Sequence, residues 1–372
     1  MNEGLHKTAT ADSEMALPSP IKHQPLLDMC IDTSKDLSGG KTSRKASFIW
    51  RLLLSMLVVA CGLYMCFVKI NERNFDRSFI FNNFQQVSTR HPFCSTLPNS
   101  SSTGLTQHFP RPRTYQRGDC TCTPVHYFVI LSMQRSGSGW FETLLNNHPN
   151  INSHGEVFSV KTRRQNFTVI SDTLDTVYNL DWSSSSNKNE CTVAVGLKWM
   201  LNQGAMEYRK EVAEYFRRRG VSVVLLIRRN ALRRLISILG NTFDREKPIT
   251  GTHVSHVHSK AEAEKLAAFK PTLDLKHLAA HLKTIHDINN DALQTFNITR
   301  LLVVYYEDLI KKPQRLMKIQ EFLGVHPRKL ESRQVKIHVG PLSGLIANWR
   351  EVYQELNATE FRSLLRQDDY YE

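Results

Sequence analysis

The apolar positions of this chain fall into two textures. Leu52 to Val68 runs LLLSMLVVACGLYMCFV without a charge, whereas beyond Cys122 apolar runs are short and separated by amphipathic stretches. Tyr127 to Met133 (YFVILSM), Val193 to Trp199, Val221 to Ile227 (VSVVLLI) and Leu301 to Tyr306 read as buried strands. Helical spacing fills the intervals, in WFETLLNN after Gly139, from Ala205 to Arg219, from Leu275 to Phe296 and from Pro313 to Phe322. Strands alternating with helices predict an α/β domain with a parallel sheet and right-handed crossovers. Ligands of such sheets bind beyond the carboxyl ends of the strands, so chemistry is expected after Met133, Trp199, Ile227 and Tyr306.

The uncharged run is a different object. At roughly 1.5 Å per residue it just spans a hydrocarbon core, and Phe48 to Trp50 extend it outward. The polar residues 1–47 ahead of it argue against a cleaved signal peptide and for a signal anchor. Lys41, Arg44, Lys45 and Arg51 before the run face Lys69, Arg73 and Arg77 after it, a small bias toward an N-terminus inside. The expected organisation is a disordered cytoplasmic tail over 1–47, a transmembrane anchor over 48–69, a luminal stem over 70–119 and a luminal domain over 120–372. A single-pass type II protein of the Golgi membrane would have this plan.

Two further features agree with it. The sequons at Asn99, Asn166, Asn297 and Asn357 all follow the anchor. So do Cys94, Cys120, Cys122 and Cys191, an even set expected to form two structural disulfides whose pairing the sequence leaves open. The net charge of +13 adds an anionic partner, which charge alone does not identify.

The first strand end carries Gln134-Arg135-Ser136-Gly137-Ser138-Gly139. Glycines let a backbone turn its N–H groups inward, a helix N-terminus adds positive potential, and Arg135 adds a full charge, which together make a phosphate cradle. The GxxxxGK[ST] of nucleotide triphosphatases is missing both its lysine and its magnesium-binding hydroxyl here, which disfavours ATP or GTP hydrolysis. After the third strand stand Arg228 and Arg229, with Ser237 eight residues beyond Arg229. Arg233 and Arg234 read as the solvated basic start of a helix. Later come Tyr305-Tyr306-Glu307-Asp308-Leu309, Pro313 and Phe322-Leu323-Gly324.

These three segments together resemble sulfotransferases that use 3′-phosphoadenylyl sulfate, in the R-S-G-S form of the carbohydrate branch and of the bacterial trehalose and Nod-factor enzymes. The resemblance spans Tyr127 to Asn348 and implies a P-loop-like sulfotransferase fold. It implies that Arg135 and the amides of Ser136, Gly137, Ser138, Gly139 and Trp140 bind the 5′-phosphosulfate, while Arg229 and Ser237 bind the 3′-phosphate. Asn230-Ala231 departs from the family's usual Asp-Pro. The Tyr305 to Gly324 segment is expected to be mainly structural.

Glu156, in His154-Gly155-Glu156-Val157-Phe158, is the candidate general base, with His154 as its rival. Lys198 is a candidate for the phosphosulfate, and Trp199 for stacking on adenine. His253, His256 and His258 lack companion carboxylates or thiolates at ligand spacing and read as a flexible acceptor-side loop. The implied reaction is sulfuryl transfer to a hydroxyl of a luminal acceptor, a carbohydrate first and a protein tyrosine second. It requires no metal, and no nucleic-acid partner is implied. A catalytically inactive glycan-binding protein of the same fold is the alternative, and the oligomeric state is not legible.

Overall fold

The computed structural model describes residues 104–182, 191–248, 257 and 259–366. The tail, the anchor, most of the stem and the three loop histidines lie outside the described residues. Among those described, no helix is long and apolar enough to cross a membrane.

Five parallel strands form one sheet in the order β2-β3-β1-β4-β5. They are β1 (His126–Ser132), β2 (Ile151–Ser153), β3 (Ala194–Met200), β4 (Ser222–Ile227) and β5 (Arg300–Tyr305). Four match the apolar runs to within about a residue. Every residue of β1, β3 and β4 is buried, which follows from a parallel sheet covered on both faces. The register is continuous, with Ile130 beside Lys198 and Val224, and Ile227 beside Tyr305.

The helices are α1 (Ser138–Asn146), α2 (Phe167–Tyr178), α3 (Arg209–Arg219), α4 (Ala231–Glu246), α5 (Lys260–Ala267), α6 (Leu275–Phe296), α7 (Tyr306–Lys311), α8 (Arg315–Phe322), α9 (Leu342–Leu345) and α10 (Trp349–Asn357). One core packs α2, α3 and α6 on one face of the sheet around Trp199, Tyr178, Phe216 and Phe296. Another packs α1, α7 and α8 on the opposite face around Phe128, Ile130, Phe141 and Leu145. A third joins α4 and α6 to α9 and α10. The amphipathic stretch expected from Ala205 becomes α3 only at Arg209. Before it the chain makes a tight turn over Leu201–Ala205, with Gly204 at φ 91°.

Residues 104–119, at the end of the expected stem, lie against the domain. His108 pairs with Val125 and stacks on Tyr127 at 3.7 Å, while buried Arg117 donates to the carbonyls of Thr123 and Thr192. Cys120 is bonded to Cys191, and Cys122 is also in a disulfide, as the even set of cysteines led one to expect.

All five strands run the same way, so all five carboxyl ends open on one edge. The segments leaving them are 133–137, 154–156, 201–205, 228–230 and 306–308, and the chemistry collects there.

Candidate active site

The segment from Met133 to Gly137 carries β1 into α1. Arg135 and Gly137 both have left-handed backbones, φ 62° and 85°. A β-carbon at 137 would collide with the ring of Tyr306, so the turn requires glycine. Left-handed Arg135 stores strain of about 1–3 kcal/mol, a cost tolerated when the surroundings hold the residue in place. Here they do: Arg228 Nη1 donates to the Arg135 carbonyl at 3.1 Å, and Arg234 Nε donates to the Gln134 carbonyl at 2.7 Å. Guanidinium groups thus hold the carbonyl edge of the loop, and an anion fits its N–H edge. Ser138, Gly139 and Trp140 begin α1, where helix geometry gives their amides no intrahelical acceptor. The Trp140 ring meets Tyr306 edge to face at 5.8 Å, closing the loop's far side.

Arg233 and Arg234, expected in solvent, are buried instead. Their heads reach backbone carbonyls distant in sequence, Gly340 for Arg233 and Gln134 for Arg234, so they brace the pocket and do not line a wet helix start. Burial together with neighbouring like charges pushes several basic groups down. Arg135 falls to about 10 through burial and the Arg228 charge, against a raising contribution from Glu156. Arg234 also falls to about 10, by burial and Arg228. Lys336 falls to about 8 by burial, then Arg228 and Arg233. His338 falls to about 4 by burial, then Arg135, Arg228 and Arg233. Mutual repulsion of this kind in a low dielectric is relieved by a bound anion. Lys336 and His338 carried no family motif and went unnoticed in the sequence.

Ser237 and Arg135 come together: Arg135 Nε donates to Ser237 Oγ at 3.0 Å, and its Nη1 reaches Asn241 Oδ1 at 3.4 Å. Arg135 shares a cleft with Asn241, Asp244 and His338. Arg229 points elsewhere. Its guanidinium pairs with both oxygens of Asp308, which also holds Arg315 at 2.7 Å, and stacks 3.8 Å over the Tyr305 ring. The hydrogen bond from Arg229, together with its charge, holds Asp308 below the usual carboxylate range. Phosphate binding by Arg229 therefore requires exchange of this partner, and its side chain, 42% exposed, has room to turn. Glu307 is buried and accepts the amides of Arg229 and Asn230 at 3.0 and 3.1 Å, the structural role expected of its segment. Asn230 caps α4 through Oδ1 to the Arg233 amide, so the departure from Asp-Pro keeps the cap.

Glu156 lies after β2 and its carboxylate influences Arg135. Gln203 Nε2 donates to Glu156 Oε2 at 3.1 Å, and Lys198 Nζ stands 3.4 Å from Oε1. The same ammonium is 3.1 Å from Glu142 Oε2 on α1. Burial would lower Lys198, but Glu142 and Glu156 outweigh it and its pKa is raised. Lys198 is thus a fixed cation between two carboxylates. His154 is half-buried in the preceding turn, its amide bonded to the Gly196 carbonyl. Trp199 is wholly buried, stacked on Phe158 at 4.1 Å, with Nε1 donating to the Gln203 carbonyl; it belongs to the core and does not reach an adenine. Among the described residues, no three His, Cys, Asp or Glu side chains gather as metal ligands.

The pattern of the sulfotransferase domain family matches residues 126–339. Nodulation protein H of Rhizobium meliloti is 24% identical over 237 residues, covering 62% of this chain and 90% of that protein. Nodulation protein H of Rhizobium tropici is 26% identical over 209 residues, covering 55% and 78%. A sulfotransferase from Alicyclobacillus acidocaldarius, known by crystal structure, is 12% identical, covers 64% of this chain and 98% of that one, and superposes with a TM-score of 0.34.

Proposed function

The chain belongs to the sulfotransferase domain family and is a sulfotransferase enzyme, and we propose that it moves a sulfuryl group from 3′-phosphoadenylyl sulfate to a carbohydrate hydroxyl. The observation that carries the reading is the contact of Arg135, in the turn ahead of α1, with Ser237 in a buried basic neighbourhood, where Arg135 shares a cleft with His338, the charges of Arg228 and Arg233 also act on Lys336, and the charge of Glu156 acts on Arg135. A donor with phosphates at both ends of its nucleoside fits a pocket whose cations are crowded and whose buried His338 Nδ1 has no hydrogen-bond partner among the described residues. When bound, the donor supplies a sulfuryl group joined to a phosphate that leaves with a negative charge.

This chain's residues do the rest. Arg135 and the first amides of α1 stabilise charge that grows on the leaving phosphate, preorganised hydrogen-bond donation that acts without reorganisation. Ser237 and Arg229 hold the 3′ end. Glu156, 36% exposed at its side chain, accepts the proton of the attacking hydroxyl while Gln203 and Lys198 fix its two oxygens. Positioning the two reactants in line contributes the remainder.

The carbohydrate acceptor follows from the likeness of the R-S-G-S loop to glycan-modifying enzymes. A Golgi-membrane, type II placement follows from the apolar run at 52–68 and is supported by the disulfide at Cys120 and Cys191, a bond of oxidising compartments. Incubation of the full chain with radiolabelled donor and a panel of glycans and tyrosine peptides tests the reading. Label is expected on a glycan without added ATP or magnesium. Label on peptide alone redirects the acceptor, and absence of donor binding removes the reading altogether.

A further inference from the structure

Glu142 is a charge where an amphipathic helix would carry a hydrophobe. It sits on α1 among buried Phe141, Leu144 and Leu145 and is itself 7% exposed. A buried carboxylate is costly unless paired and hydrogen-bonded. Glu142 satisfies both requirements with partners that all touch the neighbourhood of Glu156. Its Oε1 accepts from Ser153 Oγ at 2.6 Å and from the Gly155 amide at 2.9 Å, the residue directly before Glu156. Its Oε2 lies 3.1 Å from Lys198 Nζ, whose other carboxylate partner is Glu156. The Lys198 amide closes the ring by donating to the Gly155 carbonyl at 3.0 Å.

Resting on the reading of Glu156 as the base, we infer that Glu142 is a positioning residue that acts on Glu156 through Lys198, the cation the two carboxylates share. One ammonium shared by two carboxylates is not fully available to either. When Glu156 takes the hydroxyl proton it becomes neutral, and Lys198 keeps Glu142 as its buried counter-ion. The proton therefore arrives at Glu156 without stranding an uncompensated cation. Without the Glu142 charge, Lys198 would join Arg135 in attracting Glu156 with no carboxylate left to compete for it, and Glu156 would be a poorer base. Glu142 holds the Ser153 hydroxyl and the Gly155 amide while Asn146 holds the Ser153 amide and carbonyl, so the turn before Glu156 is tied to one helix, α1.

The test is the pH dependence of kcat in Glu142→Gln, Glu142→Asp, Ser153→Ala and Glu156→Gln, each checked by thermal melting and by binding of adenosine 3′,5′-bisphosphate. Glu142→Gln is expected to lower kcat about tenfold and to move the acid limb of the profile down by about half a pH unit or more, with donor KM within about twofold of wild type. Glu142→Asp draws the charge back from Lys198 and is expected to move the limb the same way by less. Ser153→Ala removes a hydrogen bond but no charge and leaves the limb in place. An unmoved acid limb in whichever Glu142 variant folds overturns the proposal, because a merely structural carboxylate would lower activity without shifting titration. Full turnover by Glu156→Gln would instead remove the base, and with it the reading beneath this one.

Discussion

Arg135 Nε donates to Ser237 Oγ at 3.0 Å across 102 residues of sequence, tying the loop after β1 to the middle of α4. The two motifs that the resemblance assigns to opposite ends of one donor are therefore in contact, and each orders the other.

Replacing Ser237 by Ala removes an acceptor of the Arg135 side chain and a hydroxyl from the pocket. A lost hydrogen bond to a charged group is worth about 1.5–3 kcal/mol, so donor affinity is expected to fall about tenfold or more. Titration calorimetry with adenosine 3′,5′-bisphosphate measures this. Unchanged affinity would place Ser237 outside the donor site.

Gly137→Ala forces a β-carbon into the Tyr306 ring at φ 85°. We expect a loss of about 1–3 kcal/mol in stability and a severe loss of donor binding, read from denaturant melts and calorimetry. The companion change Gly344→Ala, where nothing lies within 4 Å, should be close to silent.

His108 and His338 are both held near a pKa of about 4, chiefly by burial, against the ordinary 6.5. Below pH 6.5 the unfolded chain binds protons that the native chain refuses until about pH 4. Stability is therefore full above pH 6.5 and declines as pH falls through that window. Melting temperatures between pH 7 and 5 should drop, and His338→Gln should flatten the drop. A wild-type profile in the variant would contradict the burial of a neutral imidazole.

Cys120 and Cys191 close a loop with a sequence separation of 71. Chain-entropy reasoning assigns such a bridge about 4 kcal/mol, an upper figure because the unfolded chain retains some structure. Cys191→Ser is expected to lower the melting temperature under non-reducing conditions, but less than reductant lowers that of wild type, because reductant also opens the disulfide of Cys122. Equal melting of variant and oxidised wild type would mean that the bond contributes little.

Much of this architecture was legible before any coordinates. β1, β3, β4 and β5 are continuous apolar runs, as strands covered on both faces must be, and α6 was found to the residue. β2 was not, because Ile151-Asn152-Ser153 is short and mostly polar; only its place beside β3 buries it. The tight turn at Arg135 to Gly137 was readable from glycine placement, and the phosphate cradle read there belongs to the proposal. The burial of Arg233 and Arg234 was not, since their partners are backbone carbonyls that sequence does not reveal. Glu142 was hidden for a related reason: a glutamate on an amphipathic helix reads as its wet face until Lys198 is seen opposite. Gln203 owes its contact with Glu156 to a tight turn with no sequence signature beyond Gly204.

The central claim is that Glu156 removes the acceptor proton at a donor site built by Arg135 and Ser237. Glu156→Gln keeps nearly the same shape and removes the base, so its single-turnover transfer from radiolabelled 3′-phosphoadenylyl sulfate is the direct measurement, taken beside adenosine 3′,5′-bisphosphate affinity. The account predicts affinity within about threefold of wild type and transfer slowed by about a hundredfold or more. Transfer at the wild-type rate in this variant would contradict it.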